Sequence, residues 1–453
     1  MPTPIDEAQM LDDDSGTKTV AVTDVTVDGT DIECEVEYTD DIAPFFGSQT
    51  FTASYDVDIS AVPESVLTVP VLAHLCPVAW ALGADVHASS VDRRFLDSLE
   101  TVGAVLREMY PTFIEGGRVV IDEAPTTEHR GDGAETGLLF TGGINSLSPY
   151  ARHRNEVSTL LSIQAWHVGP DEERRWWDWQ ANVREYADRF GVEAQFVQSN
   201  VLDILNSSML SIHFTDDHDG GWYSAVADGL GLLGLAAPLT VATDIGTLYV
   251  GARHWDEFPT PELLDHWDGQ GMPWGSHPAI DESLAWAGTD VVHDGFELTR
   301  QERVEVVADF LTSHHPDLPV WACEKPARQR NCKQCENCFR TAFGLAVAGC
   351  DPNQHGLVLT PTAFEQACNR FEAGEWLPDR HHAVYWQELQ TKVDSDTMLP
   401  VEGGDAFCQW LQSTDFDTIA GRSNRSRAIR TLARSVPISL YSKLYSIYGR
   451  DDR

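Results

Sequence analysis

Residues near the amino terminus alternate between apolar and polar with a period of two. The alternation covers Thr19–Val27, Ile32–Tyr38 and Thr50–Ile59. Such a period places apolar side chains on one face of an extended strand, so it predicts three half-buried antiparallel strands. Helical patterns follow at Leu67–Leu82 and Val91–Met109, and a short strand is expected at Val119–Ile121.

From Gly137 onward, short apolar runs alternate with helical segments. Strands are expected at Gly137–Phe140, Ser158–Trp166 and Val192–Gln198, with a fourth inside Pro238–Val250; helices are expected at Asp171–Phe190 and Ala225–Ala237. Alternating strands and helices predict an α/β fold with a parallel, doubly wound sheet and helices on both faces. Ligands of such sheets bind at the carboxyl ends of the strands.

These patterns divide the chain into three predicted domains. Residues 1–130 form an α+β domain that ends in a polar linker, Thr126–Glu135. Residues 131–350 contain the alternating strands and helices. Residues 351–453 are mostly helical in pattern and include the arginine-rich segment Arg422–Arg434. We expect Arg422–Tyr448 to be a basic, amphipathic docking element.

The charge of the chain is strongly negative. Its 453 residues carry a formal net charge of −40, and nearly all of the positive charge is arginine. This balance resembles that of proteins from halophiles that accumulate salt, where a Debye length of about 3 Å in molar salt screens self-repulsion. In dilute buffer such acidity argues against nucleic acid as a partner, and high salt weakens this argument. We expect no nucleic-acid partner, and the chain could form a homo-oligomer.

The sequence predicts a cytoplasmic protein. The start of the chain is polar and acidic, with no apolar segment typical of a secretory signal. No run approaches the roughly 20 apolar residues of a membrane span. Clustered cysteines in a reducing compartment point to metal binding rather than to disulfides.

Four of the nine cysteines are closely spaced: Cys323, Cys332, Cys335 and Cys338. Four soft ligands at this spacing predict a tetrahedral structural Zn²⁺ site. Neighbouring positive residues could stabilise the thiolates; these are Lys325, Arg328, Arg330, Lys333 and Arg340. Four buried free cysteines and an iron–sulfur cluster are the alternatives, but the ferredoxin continuation after the last cysteine is missing.

A glycine turn directly follows the first strand of the alternating region. It reads Leu138-Leu139-Phe140-Thr141-Gly142-Gly143-Ile144-Asn145-Ser146 and precedes a helical segment. Glycines let consecutive N–H groups face an anion, and the start of a helix adds its positive dipole end. The turn is therefore a candidate phosphate-binding loop, although strand–Gly-Gly–helix turns are common.

Together, the glycine turn and the cysteine cluster resemble the PP-loop ATP pyrophosphatases, whose signature is Ser-Gly-Gly-x-Asp-Ser. The cysteine spacing and Leu298-Thr299-Arg300 resemble 7-cyano-7-deazaguanine synthases. An uncharacterised PP-loop group with a similar leading domain is closer still, on three motifs: Gly275-Ser276-His277-Pro278, His293-Asp294-Gly295 and the run from Cys332 to Thr341. The likeness covers about residues 137–349.

This resemblance implies an ATP- and Mg²⁺-dependent enzyme that activates a small carboxylate or purine-like molecule and releases pyrophosphate. The phosphate-binding residues would be Thr141, Gly142, Gly143, Asn145 and Ser146, with Lys325 and Arg340 as further cofactor contacts. Catalytic candidates are Asn145, Ser146, Arg253, His277, His293 and Arg300. Each arginine could instead pair with a carboxylate, and each histidine could be structural.

Two departures from the family pattern bear on function. Asn145 stands where the signature has aspartate, so a charge usable for Mg²⁺ is missing, and Thr141 replaces the signature serine. The deazaguanine synthases also lack a counterpart of residues 1–130. A catalytically weak nucleotide-binding module that serves a partner protein is therefore the alternative to an amidating or ligating enzyme. A tRNA-thiolating enzyme would need further catalytic cysteines.

Overall fold

The structure is a computed structural model. It describes residues 17–127, 135–166, 168–169, 172–215, 221–254, 256, 274–323, 331–378, 380–394 and 397–420. The expected docking element, Arg422–Tyr448, and the candidate contact Lys325 lie outside these residues.

Eleven strands of the described chain form one mixed, mostly parallel sheet. They are β1 Thr19–Asp28, β2 Asp31–Tyr38, β3 Thr50–Tyr55, β4 Asp85–Ser90, β5 Val119–Glu123, β6 Glu135–Leu139, β7 Thr159–Gln164, β8 Glu193–Ser199, β9 Ile245–Gly251, β10 Ala285–Trp286 and β11 Thr289–Asp294. Their spatial order is β10-β11-β9-β6-β7-β8-β3-β2-β1-β4-β5. The run β11-β9-β6-β7-β8 is parallel throughout.

Helices cover both faces of this sheet. They are α1 Glu64–Leu67, α2 Val69–Leu82, α3 Arg93–Met109, α4 Ile144–His153, α5 Glu173–Phe190, α6 Val201–Ile204, α7 Ser207–Phe214, α8 Asp228–Ala242, α9 Pro278–Asp281, α10 Arg300–His314, α11 Glu336–Val347, α12 Pro361–Glu372, α13 Arg380–Lys392, α14 Asp405–Ser413 and α15 Phe416–Ala420. The expected α/β class is confirmed, and the sheet is mostly parallel rather than parallel throughout.

The sheet separates two hydrophobic cores. Adjacent residues of one strand enter different cores, as Leu160 and Leu161 of β7 do. One core contains α2 and α8, whereas the other contains α4, α5, α10, α11 and the carboxyl-terminal helices. Central parallel strands are thus buried on both faces, which explains why they read as apolar runs in the sequence.

The amino-terminal strands join the parallel strands edge to edge. The expected antiparallel strands near the amino terminus are confirmed as β1, β2 and β3. Strand β3 then pairs antiparallel with β8, with Tyr55 opposite Val197. Strands on both sides of residue 130 therefore belong to one sheet, while the assignment of three domains stays a prediction.

The helix expected at Ala225–Ala237 differs in its bounds. A π-helical turn, Tyr223–Ala227, precedes α8, and α8 continues through Pro238 to Ala242. Helix α2 packs closely against α8, since a Cβ on Gly234 would lie 2.3 Å from Ala73. Packing thus outweighs the one backbone hydrogen bond that the proline removes.

The described chain shows no clear membrane span, as expected, although one helical stretch reaches the required length. Tyr223–Ala242 has 20 residues and is apolar enough to cross a bilayer, yet 89% of its most apolar window is buried inside the protein. Burial of this extent is typical of a core helix. Its apolar character is explained by its packing against both the sheet and α2.

Candidate functional site

The four clustered cysteines converge on one point. Their sulfur atoms lie within 4.8 Å of one another, with Cys323 and Cys335 4.0 Å apart and Cys332 and Cys338 3.9 Å apart. Tetrahedral zinc with Zn–S bonds of about 2.3 Å requires sulfur separations of about 3.8 Å. The cluster could therefore hold a structural zinc ion, as the spacing predicts.

Local backbone geometry holds this cluster at the start of α11. The Cys335 N–H donates to Cys332 Sγ at 3.3 Å, and the Cys338 N–H donates to Cys335 Sγ at 3.4 Å. Lys333 lies between Cys332 and Cys335 and adopts a left-handed φ of +61°, which turns the chain back on itself. Hydrogen bonds from the Cys338 thiol and N–H lower the pKa of Cys335, which favours the thiolate that binds metal.

A buried amide connects the cluster to the preceding segment. Asn331 accepts a hydrogen bond from the Ala322 N–H at 2.9 Å and donates to the carbonyl oxygens of Val320 and Gly356. It is 2% exposed. Asn331 thereby fixes the chain that leads into Cys323. Sequence reasoning missed it, although its position next to Cys332 was a signal.

The glycine turn joins β6 to α4 in a conformation that only glycine adopts easily. Gly142 has a φ of +80°, and a Cβ there would lie 2.5 Å from the ring of Tyr186. Ser146 Oγ accepts hydrogen bonds from the N–H groups of Thr141 and Gly142, both at 3.1 Å, and donates to the Gly143 carbonyl oxygen. Ser146 therefore shapes the loop from within.

Three consecutive backbone N–H groups of this loop remain available to donate hydrogen bonds. Among the residues that the structure describes, the N–H groups of Gly143, Ile144 and Asn145 have no hydrogen-bond acceptor. They stand at the amino terminus of α4, where the helix dipole is positive. We call them the nest; donors arranged in this way suit an anion.

One cation adjoins the nest. The Arg300 guanidinium donates to Asn145 Oδ1, and within the described chain it has no carboxylate closer than 4.0 Å. Burial, and then the positive charges of Arg340 and Arg303, lower the pKa of Arg300 to about 9. The nest therefore adjoins a positive charge that no described carboxylate pairs with.

Trp321 connects the cysteine cluster to the nest. Its backbone N–H donates to the Gly142 carbonyl oxygen at 2.8 Å, and its indole N–H donates to the Cys323 carbonyl oxygen at 3.0 Å. The Tyr186 hydroxyl lies within hydrogen-bond distance of the carbonyl oxygens of Gly142 and Pro319. The segment leading into Cys323 thus covers the glycine turn, a contact that no sequence motif indicated.

The other two candidate arginines that lie in the described chain have acidic partners. Arg340 pairs with Glu336 at 2.8 Å and contacts the Tyr385 ring, and it lines the same cavity as Arg300. Arg253 pairs with the buried Asp228 at 3.2 Å. Arg340 therefore lies near Arg300, whereas the carboxylate of Asp228 holds Arg253.

The two candidate histidines lie together beyond β9. His293 Nδ1 is 2.7 Å from Asp281 Oδ2, which also accepts from the Ser276 hydroxyl at 2.7 Å. His293 Nε2 is buried and has no hydrogen-bond partner in the described chain. His277 Nδ1 accepts from the Ala279 N–H and caps α9, and burial lowers the pKa of His277. Sequence reasoning identified His293 but missed Asp281.

The carboxyl ends of the parallel strands bring these groups to one edge of the sheet. The nest follows β6, Arg253 follows β9, and Arg300 follows β11, while His293 lies in β11 itself. Strand spacing places β11 about 10 Å from β6. Comparisons with family models, with curated proteins and with solved structures found no match.

Proposed function

We propose that the chain binds ATP through the nest and transfers the adenylyl group to a small carboxylate or purine-like substrate, with release of pyrophosphate. The observation that carries this proposal is the set of three unpaired N–H groups, Gly143 to Asn145, beside Arg300. A polyphosphate fits this arrangement because its oxygens accept from several backbone donors and from a guanidinium at once.

In this function the loop residues have separate roles. The N–H groups of Gly143, Ile144 and Asn145 hold phosphate oxygens, and Ser146 keeps the turn in shape. The segment Thr141–Ser146 contains no acidic side chain. Mg²⁺ would therefore be held mostly by phosphate oxygens and water, which suits its preference for retaining several waters.

The reaction requires little covalent chemistry from the protein. A substrate oxygen attacks the α-phosphorus of ATP, the bond to the β-phosphate breaks, and pyrophosphate leaves. An amine, ammonia or sulfur nucleophile then displaces AMP. Positioning and charge stabilisation dominate such a transfer. Arg300 would stabilise the charge of the leaving pyrophosphate.

In this proposal His293 accepts a proton from the nucleophile. Its Nδ1–H donates to Asp281, which fixes the tautomer and leaves Nε2 as the acceptor. The same buried carboxylate would stabilise the imidazolium once formed. Ser276 donates to Asp281 as well and so holds its orientation.

A catalytically weak nucleotide-binding module is the second candidate. Asn145 favours it, because the loop lacks the carboxylate that would fix Mg²⁺ and the amide holds Arg300 instead. Losing one electrostatic contact in an active site commonly lowers the rate about 10²–10³-fold. Such a protein would bind ATP and turn it over slowly.

ATP–pyrophosphate exchange at high salt, with Mg²⁺ and a panel of carboxylates, tests the enzymatic proposal. We expect slow exchange with at least one acid. Asn145→Asp should raise the rate at saturating ATP because it restores the carboxylate. It should also raise the ATP concentration needed for half-maximal exchange, since the new carboxylate pairs with Arg300. ATP binding without exchange in either protein would favour the module.

A further inference from the structure

One carboxylate of the carboxyl-terminal helices lies close to Arg300. Glu388, on α13, and Arg300, at the start of α10, line the same small cavity of about 10 Å³, together with Arg340 and Tyr385. Among the described residues that line this cavity, Glu388 is the one with a carboxylate. The carboxyl-terminal region thus adds a negative charge near the cation that adjoins the nest.

Hydrogen bonds at the start of α10 hold this carboxylate in place. The two oxygens of Glu388 lie 3.0 Å and 3.1 Å from the Gln301 nitrogen, whose N–H donates to them. Burial raises the pKa of Glu388 above its usual range, whereas hydrogen bonds from the Thr299 side chain and the Gln301 N–H oppose this shift. The positive end of the helix dipole also favours a negative charge there.

Glu388 acts on Arg300 through space rather than by contact. The Arg300 guanidinium donates to Asn145 Oδ1, and no carboxylate of the described chain lies within 4.0 Å of it. Burial and the charge of Arg340 lower the pKa of Arg300 to about 9, and the charge of Glu388 opposes that shift. Glu388 therefore stabilises the charged guanidinium without occupying its donors by an ion pair.

From this arrangement we propose that Glu388 is the fixed counter-charge of Arg300 and limits how tightly the nest holds pyrophosphate. This inference rests on the proposed function. Pyrophosphate carries several negative charges, so it is attracted by Arg300 and repelled by Glu388. The carboxylate would thereby favour release of the leaving pyrophosphate after the adenylyl transfer.

Calorimetric titration of pyrophosphate into the zinc-loaded whole protein, with Mg²⁺ at high salt, tests this role. Glu388→Gln removes the charge at similar size and should bind pyrophosphate about 5-fold more tightly or better, since partly buried charges are screened little by salt. Glu388→Met removes the charge with a different side chain and should act in the same direction. Glu365→Gln, an exposed carboxylate of α12 in the same region, is the matched control and should keep the wild-type affinity.

A merely structural role of Glu388 predicts the opposite sign, because a displaced Arg300 would hold pyrophosphate less tightly. Unchanged or weaker binding in the two Glu388 variants would overturn the inference and leave the nest as a phosphate site. No pyrophosphate binding by the wild-type protein would instead overturn the proposed function, and this inference with it. Two variants of different chemistry keep the test decisive if one of them does not fold.

Discussion

The cysteine cluster and the nest are neighbours in space but differ in what completes them. The cluster brings its four ligands together within residues 323–338, at separations that already match zinc. The nest has donors and a cation but no acceptor, and its shape depends on Tyr186, Trp321 and Arg300 from distant parts of the chain. A site of local ligands can be recognised from spacing, whereas a site of distant contacts cannot.

The two regions are also connected, and we expect disruption of the cysteine cluster to affect the nest but not the reverse. Trp321 stands two residues before Cys323 and donates to Gly142. Loss of zinc should therefore disturb the nest. Loss of an anion from the nest should leave the cysteine cluster intact, because its own hydrogen bonds join cysteines to one another.

The largest effect is expected from removing one zinc ligand. Cys332→Ser should lower the zinc content from about one per chain to near zero, since structural zinc sites contribute about 10–16 kcal/mol of apparent binding energy in small domains. ATP binding should weaken with it, through Trp321. Elemental analysis and calorimetric titration measure both quantities. Cys368→Ser is the matched control, because Cys368 is also half-buried and lies outside the cluster.

If Cys332→Ser loses zinc yet binds ATP as tightly as wild type, the two regions are independent. That result would remove the connection through Trp321 while leaving each site in place.

The next largest effect is expected on stability, from a substitution in the glycine turn. Gly142→Ala should destabilise the protein by about 3 kcal/mol or more, because the residue combines a φ of +80° with a Cβ 2.5 Å from the Tyr186 ring. Gly191→Ala is the control, as it has a φ of +71° but no atom within 4 Å, and it should cost about 1 kcal/mol. Urea unfolding of both variants separates the clash from the backbone strain. Equal costs would mean that Tyr186 does not restrict the loop.

A smaller effect, on ATP binding, is expected when the cation beside the nest is replaced. Arg300→Gln should weaken ATP binding about 10–100-fold, the range expected for one hydrogen bond to a charged group. Arg154→Gln, at the opposite end of α4, should leave the affinity unchanged. Calorimetric titration of both variants makes the comparison.

The smallest effect should follow from removing one hydroxyl of the loop support. Tyr186→Phe takes away the contacts with the Gly142 and Pro319 carbonyl oxygens, a loss of about 1 kcal/mol and a few-fold in ATP affinity. Tyr150→Phe is the control, since Tyr150 stacks on Phe190 in the same core and its hydroxyl has no hydrogen bond in the described chain. Identical affinities in the two variants would show that Tyr186 supports packing alone.

The sequence predicted what periodicity and spacing encode. Alternation identified β1 to β3, and the cysteine spacing identified a cluster that could hold a metal ion. It missed β4 and β11, because Asp85–Ser90 and Thr289–Asp294 contain histidine and acidic residues that interrupt an apolar run. Pairing with neighbouring strands, rather than composition, makes these segments extended.

The arrangement around the nest could not be predicted because it is non-local. Arg300 contacts Asn145 across 155 positions, and Tyr186 contacts Pro319 across 133. Asp281 and His293 are closer in sequence, yet only the packing of α9 against β11 pairs them. Sequence reasoning could name candidate residues here, whereas their partners follow from the fold.

Calorimetric titration of ATP into the wild-type protein, at high salt with Mg²⁺, is the direct test of phosphate binding by the nest. We expect one ATP bound per chain, with an affinity that falls about tenfold or more in Arg300→Gln and stays unchanged in Arg154→Gln. No binding by the zinc-loaded wild-type protein, or equal affinity in all three proteins, would contradict the assignment of the nest as a phosphate site.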